Sequence, residues 1–226
     1  MVKRSKVARI LALSVMATAL IGFNASESRA DAATGKKAFD SKKCGGCHYT
    51  TGPAREKTIA DQLKKKGPEL WYAGSKFQKE WLGAWLQNPK PIRPLAYNSL
   101  TKKNPGNHPK LAAGDAAGVT DYLMSLTSKD VAAGVIKAKK NLKGKLVFTK
   151  KMPCSGCHQY EMRKKVKGGL SGPSLVGAGK RLNPDWIYAY LKAPKAFKPV
   201  KMMPVFTGIL SDKQMKDVST FVANFK

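Results

Sequence analysis

Apolar residues recur at helical spacing in both halves of the chain. Near the C-terminus they lie at intervals of three and four, which predicts an amphipathic helix. This apolar face consists of Met215, Val218, Val222 and Phe225. Ser211, with Gln214 three residues later, predicts a capping box at the start of the helix. The first half has a face with the same spacing, and it consists of Val119, Tyr122, Leu123 and Leu126.

Shorter helices are predicted upstream of these faces. The stretch 182–192 has Pro184 and Asp185 at its start, where proline and an acidic side chain suit the first turn, and Pro194 at its end. The other segments predicted as helical are 35–43, 77–87 and 144–151. Each half of the chain is therefore predicted to be mostly helical.

The two halves align at a constant offset. KGPELWYAGSKFQKEWLGAWLQNPKPIRP from Lys66 lies over SGPSLVGAGKRLNPDWIYAYLKAPKAFKP from Ser171, an offset of 105 residues. The Gly-Pro pairs, one tryptophan and two prolines coincide in this alignment. The repeat predicts a first domain over 31–128, a charged linker over 129–141 and a second domain over 142–226.

The first 30 residues have the composition of a secretory signal peptide. Basic residues precede an apolar run over 10–23, which at 14 residues is too short to span a bilayer of the usual thickness. We expect export to the periplasm with cleavage after Ala30, and cleavage after Ala32 is the alternative. Retention of the segment as a membrane anchor is the alternative left open.

The charge of the chain is strongly basic, with 42 Lys+Arg against 14 Asp+Glu. Without residues 1–30, which hold five basic residues and one acidic residue, the net charge is +24. We therefore expect an acidic redox protein or a respiratory complex as partner, with an anionic membrane surface as a second possibility. Nucleic acid is not expected, because the chain is predicted to be exported. Lysine runs such as 64–66 are expected to be solvated.

The motif Cys-x-x-Cys-His occurs twice and carries the candidate chemistry. Cys44 and Cys47 precede His48, and Cys154 and Cys157 precede His158. In this motif two thiols bond the porphyrin vinyl groups and the histidine binds the iron. A zinc ribbon would place its second cysteine pair about 15 to 20 residues after the first, whereas the two pairs here start 110 residues apart. Two motifs predict two covalently bound haem c groups.

With these motifs, the Gly-Pro turn, the tryptophan-bearing middle helix, the methionine loop of the second half and the C-terminal aromatic helix, each half resembles a class I cytochrome c domain. The whole chain resembles a diheme cytochrome c. The resemblance implies an all-α fold of two tandem small helical bundles, each around one haem. It also implies that the first and last helices of each domain cross, with Phe39 against Tyr122 and Phe148 against Phe221.

The same resemblance assigns the residues on the proximal side of each iron. It makes His48 and His158 the proximal iron ligands. The carbonyls of Pro68 and Pro173 are expected to accept the N–H of these imidazoles. Such a bond fixes the orientation of the ring and increases its basicity as a ligand.

The distal ligands are expected to differ between the two halves. In the second half, Met203, directly before Pro204, matches the ligand position of the family, and Met202 is the alternative. At the repeat offset the residue under Met203 is Asn98, which does not bind haem iron.

The loop of the first half contains His108, followed by proline as Met203 is. We interpret His108 as the distal ligand of the first haem, because the other two histidines are the proximal ligands. An open iron and Met124 are the alternatives.

These features predict a carrier of single electrons rather than an enzyme, either soluble or as the electron-transfer subunit of a respiratory complex. Imidazole favours ferric iron relative to thioether, so electrons are expected to enter at the first haem and to rest on the second. The alternative is a haem enzyme or sensor that acts on a small anion or gas at an open first haem. The tryptophans are expected to pack around the haems, and they are Trp71, Trp81, Trp85 and Trp186.

Overall fold

A computed structural model describes residues 31–226, and the expected signal segment over 1–30 lies outside them. The helices of the first unit are α1 (Ala32–Ser41), α2 (Ile59–Lys64), α3 (Ala73–Lys76), α4 (Lys79–Gln87) and α5 (Ala113–Ser125). The helices of the second unit are α6 (Leu142–Leu146), α7 (Ala178–Arg181), α8 (Pro184–Lys192), α9 (Pro194–Phe197) and α10 (Asp212–Ala223). Among the helices of residues 31–226, none has the length and hydropathy of a membrane span.

Two helix starts follow the signals in the sequence, whereas the predicted bounds of other helices differ from the observed ones by two or three residues. Ser211 caps α10 and forms the predicted capping box with Gln214. At the start of α8 the Asn183 side chain accepts a hydrogen bond from the Asp185 amide, and Pro184 occupies the first turn. Pro194 ends α8 as predicted, but it also begins the short helix α9, which the sequence analysis missed.

In the first unit, α1 and α5 cross at a pair of glycines. A Cβ on Gly35 would lie 1.8 Å from the carbonyl oxygen of Gly118, so a larger residue would push the two backbones apart. Beside this contact the rings of Phe39 and Tyr122 meet edge to face, with centroids 5.5 Å apart. The predicted aromatic contact of the first domain is confirmed.

The second unit repeats this crossing between α6 and α10. A Cβ on Gly144 would lie 2.1 Å from the carbonyl oxygen of Asp217. Phe148 and Phe221 meet edge to face at 5.7 Å, as predicted. Phe148 lies in a π-helical turn, Val147–Lys151, that continues α6 towards the cysteine motif.

A two-stranded antiparallel hairpin follows the second cysteine motif. Its strands are β1 (Tyr160–Met162) and β2 (Lys165–Lys167), and Tyr160 pairs with Lys167. The turn residues Arg163 and Lys164 both have positive φ, at 52° and 62°. The sequence analysis missed this hairpin because its strands are only three residues long and the second one is mostly lysine. It is a small addition to an otherwise helical fold.

The two units meet along a pseudo-twofold axis. Phe77 pairs with Leu182, and these are equivalent positions of the repeat. Two backbone hydrogen bonds of similar length flank this pair symmetrically. They are Gln78 N–H to Arg181 O, at 2.9 Å, and Asn183 N–H to Lys76 O, at 2.8 Å. The interface therefore resembles that of a symmetric dimer joined into one chain.

Side chains on this interface follow the same symmetry. The ammonium of Lys76 lies 4.9 Å from the ring centroid of Trp186. The guanidinium of Arg181, at the equivalent position of the second unit, lies 5.8 Å from that of Trp81. Each unit thus places one cation over a tryptophan of the other.

The segment 129–141 lies against the second unit. The carboxylate of Asp185 accepts hydrogen bonds from the amides of Gly134 and Ile136, both at 2.7 Å. Ile136 is only 6% exposed. The predicted linker therefore packs on α8 over part of its length.

The lysine run 64–66 contains one correction to the sequence analysis. Lys65 is buried, not solvated, and it forms ion pairs with Glu56 and Glu69. Glu69 is 1% exposed and also pairs with Lys198 of the second unit, at 3.2 Å between nitrogen and oxygen. The expectation of a solvated run is wrong at Lys65 because these carboxylates compensate its buried charge.

Candidate haem sites

The two cysteine motifs form nearly identical turns. In the first, the amides of Cys47 and His48 both donate to the carbonyl of Cys44, at 3.1 and 3.0 Å. In the second, the corresponding distances are 3.2 and 3.0 Å. In each turn the first cysteine is half-buried and the second is exposed. Each turn therefore offers two thiols and one imidazole to a single ligand.

The proximal histidines are oriented as the resemblance implies. His48 Nδ1–H donates to the carbonyl of Pro68 at 2.8 Å, and His158 Nδ1–H donates to that of Pro173 at 2.7 Å. Because a carbonyl only accepts, Nδ1 carries the proton and Nε2 keeps a free lone pair. Burial lowers the pKa of both imidazoles, which favours the neutral form that binds a metal.

A glycine before each of these prolines allows the close approach. A Cβ on Gly67 would lie 2.9 Å from His48 Cε1, and one on Gly172 would lie 2.6 Å from His158 Cε1. Any larger residue would displace the ring. The matching Gly-Pro pairs of the repeat are therefore part of the proximal site.

The rings of His108 and His48 lie close together, with centroids 6.1 Å apart and planes inclined at 45°. Two imidazoles on one metal, with metal–nitrogen bonds of about 2.0 Å and roughly 1.1 Å from nitrogen to ring centre, would have centroids about 6 Å apart. His108 Nδ1–H donates to the carbonyl of Pro109 at 2.9 Å, so its Nε2 is also free. The spacing and the tautomers both suit one iron between the two rings.

The other first-half candidates are used elsewhere. The Asn98 amide donates to the carbonyls of Gln62 and Lys65, at 2.7 and 3.0 Å. Met124 lies inside α5, where its backbone packs against Gly74. These contacts favour His108, whose ligation remains a prediction.

Trp85 of α4 packs against His108, the residue predicted as distal ligand, with ring centroids 4.7 Å apart. Its indole N–H donates to the carbonyl of Lys90 at 2.9 Å, which holds the ring in place. The amide of Leu111 donates to the carbonyl of Leu86 at 3.0 Å, which connects the loop that contains His108 to α4. The sequence analysis expected Trp85 to pack around a haem but did not pair it with His108.

The methionines of the second half differ in exposure. Met202 is 63% exposed, whereas Met203 is half-buried and packs against the core. The Lys201 ammonium donates to the carbonyl of Met203. This arrangement favours Met203 over Met202 as the distal ligand.

Buried donors near the domain interface provide a test of whether the chain fits haem. Within residues 31–226, four buried N–H or O–H groups in this region lack a hydrogen-bond partner. They are Trp71 Nε1, Tyr72 Oη, Arg93 Nε and Trp186 Nε1. Buried donors are normally satisfied, and the propionate carboxylates of haem would accept hydrogen bonds from them. These four unpaired donors therefore fit a chain that binds haem.

Buried cations at the interface support the same conclusion. Burial lowers the pKa of Lys76 to about 7 and that of Arg181 to about 10. Lys76 faces Trp186, and Arg181 donates to the carbonyl of Ser174 at 2.6 Å. Carboxylates at this interface would stabilise both charges.

Comparison with known proteins agrees with this geometry. The family model described as Cytochrome c matches the chain twice, at residues 32–127 and 142–226. Comparisons with the curated proteins and with the solved structures give no match.

Proposed function

The chain belongs to the cytochrome c family, and from this premise we propose that it carries single electrons between redox partners in the periplasm. It has two tandem domains of the family, each with a Cys-x-x-Cys-His motif for one covalently bound haem c. Haem supplies one-electron oxidation and reduction of its iron. The proposal covers a soluble carrier and the electron-transfer subunit of a respiratory complex.

The observation that carries the proposal is the spacing of the His48 and His108 rings. Rings 6.1 Å apart suit an iron that is bound on both faces. Such an iron has no free position for a substrate or a gas. An electron carrier needs none, whereas an enzyme or sensor does.

Carbon monoxide binding to the dithionite-reduced protein tests this function. We expect no rapid binding at either haem of the parent protein. The His108→Ala variant is the positive control, since it should bind one carbon monoxide per protein at the first haem. Rapid stoichiometric binding by the parent protein would instead support an enzyme or sensor.

The direction of electron flow follows from the proposed ligands. Two imidazoles on the first iron favour the ferric state, whereas the thioether of Met203 favours the ferrous state of the second. Electrons then enter at the His48 haem and rest on the His158 haem. A stepwise redox titration that finds the lower potential at the His158 haem would contradict this order.

The proposed partner is an acidic redox protein, because residues 31–226 carry a net charge of +24. Electrostatic steering makes such encounters fast and sensitive to salt. We expect the electron-transfer rate with an acidic partner to fall steeply as ionic strength rises. A rate independent of salt would contradict an acidic partner.

Sequencing the N-terminus of protein from the periplasmic fraction tests the export and the cleavage after Ala30.

A further inference from the structure

Arg93 and Lys198 occupy equivalent positions of the repeat, and each reaches into the other domain. Arg93 of the first domain donates through Nη2 to the carbonyl of Ser171, at 2.7 Å. Lys198 of the second domain pairs with the Glu69 carboxylate, at 3.2 Å. Both target residues adjoin a Gly-Pro turn that holds a proximal histidine.

The contacts of Arg93 lead to the second iron site. The carbonyl of Ile92 accepts the amide of Ser174 at 2.8 Å, so the segment 92–93 contacts both sides of the turn Gly172-Pro173. The carbonyl of Pro173 accepts the Nδ1–H of His158. Only the turn 171–174 therefore lies between Arg93 and His158, the proximal ligand of the other domain.

The contacts of Lys198 lead to the first iron site. Its partner Glu69 directly follows Pro68, whose carbonyl accepts the Nδ1–H of His48. The side chain of Lys198 is 20% exposed and that of Glu69 is 2% exposed. Solvent therefore screens this pair only weakly.

We propose that each domain supplies a cationic side chain that acts on the haem of the other domain. Arg93 raises the reduction potential of the His158 haem, and Lys198 raises that of the His48 haem. Reduction adds one negative charge at the iron, and a nearby cation stabilises that charge most where water is excluded. Both act as positioning and tuning residues and neither is an iron ligand. The proposal depends on the two haems and not on the direction of electron flow.

Charge-neutral variants with matched controls test the proposal. The variants are Arg93→Gln and Lys198→Gln. The controls are Lys37→Gln in the first domain and Lys195→Gln in the second, which alter exposed lysines. Each haem is followed separately by its own methyl signals in an NMR redox titration, which does not require the axial ligands to be known.

Arg93→Gln should lower the equilibrium constant for reduction of the His158 haem about tenfold, which is about 59 mV for one electron, and that of the His48 haem by less. Lys198→Gln should produce the opposite pattern. Arg93→Lys should restore most of the potential, because it retains the charge. The controls should shift neither haem appreciably.

The proposal is overturned if each variant mainly shifts the potential of the haem in its own domain, or if the potentials of the two haems shift equally. It is also overturned if the charge-retaining Arg93→Lys shifts the potential as much as Arg93→Gln, since the effect would then be structural. Thermal unfolding of every variant checks that both domains remain folded. If Arg93→Gln does not fold, the Lys198→Gln pattern decides the matter.

Discussion

The two domains share the proximal half of the haem site and differ in the distal half. The cysteine turns have the same hydrogen bonds, and the imidazole to proline distances are 2.8 and 2.7 Å. The residues proposed as distal ligands differ, because the first domain has His108 near its His48 and the second has Met203 in its loop. The proximal half depends on short motifs that a duplication copies intact. The distal half depends on one residue in a loop, which can change without disturbing the rest.

The interface shows a second difference between the domains. Tyr72 of the first domain is fully buried and stacks on Trp186, with centroids 6.2 Å apart. The equivalent residue of the second domain is Gly177. Likewise the buried Glu69 corresponds to Ser174. The backbone pairing is therefore symmetric, but the side chains that fill the interface are not.

Removal of one cysteine pair should have the largest effect of the changes considered, because it should remove one of the two haems. We expect Cys44→Ser/Cys47→Ser to lose the first haem and Cys154→Ser/Cys157→Ser to lose the second, because each pair bonds one porphyrin. Mass spectrometry of the denatured protein should find one covalently attached haem in each double variant and two in the parent. Each variant should then give the spectrum of the remaining site alone. Identical spectra from the two variants would show that the distal ligands do not differ.

Exchange of the distal ligand should remove the main difference between the sites. In His108→Met we expect a second near-infrared sulfur-to-iron band in the ferric protein. The potential of the first haem should rise by more than about 59 mV, a tenfold change in equilibrium constant. Asn98→Met, at the position that corresponds to Met203 in the repeat, is the control and should leave the spectrum unchanged. Two such bands in the parent protein would refute bis-histidine ligation.

Substitution of the glycine at the helix crossing should lower the stability of the two domains alike. Gly35→Ala and Gly144→Ala each force a Cβ into a backbone carbonyl, and each should destabilise its own domain by about 3 kcal/mol. Thermal unfolding followed at each haem measures this. Gly114→Ala is the control, since it lies in α5 with no atom within 4 Å of the added Cβ, and it should not destabilise. A stable Gly35→Ala variant would show that the crossing tolerates separation of the helices.

Acid should destabilise the first domain through Glu69, with a smaller effect than the glycine variants. Burial acts to raise the pKa of Glu69, but the charges of Lys198 and Lys65 outweigh it and hold the pKa below its ordinary value. A carboxyl with a lowered pKa stabilises the folded state above its ordinary pKa, and this contribution is lost as pH falls through the lowered value.

Unfolding of each domain measured from neutral to acidic pH tests this contribution. Glu69→Gln should remove part of the acid sensitivity of the first domain while lowering its stability at neutral pH. The second domain has Ser174 at this position and should change less. Equal acid sensitivity in the parent and in Glu69→Gln would contradict a role for this carboxylate.

Much of the fold and of the proximal sites could be predicted from the sequence. The cap at Ser211 follows from a pattern within one helix. The contact of Phe39 with Tyr122 and the proline carbonyls that accept from the histidines join distant residues, and they were expected from the resemblance to the family. The hairpin over 160–167 and the buried state of Lys65 were not predicted. Strands of three residues are too short to show a hydrophobic alternation, and the partners Glu56 and Glu69 are brought to Lys65 only by folding.

The sequence by itself determined that there are two helical domains of the cytochrome c family with one covalent haem motif each, because the motif, the Gly-Pro turn and the helix periods are local. The sequence suggested His108 as the partner of His48, but only the tertiary structure set the 6.1 Å between their rings and carried Arg93 and Lys198 across the interface to the other domain. These residues are far from their partners along the chain. Their distances depend on how helices and domains pack, which local patterns do not specify.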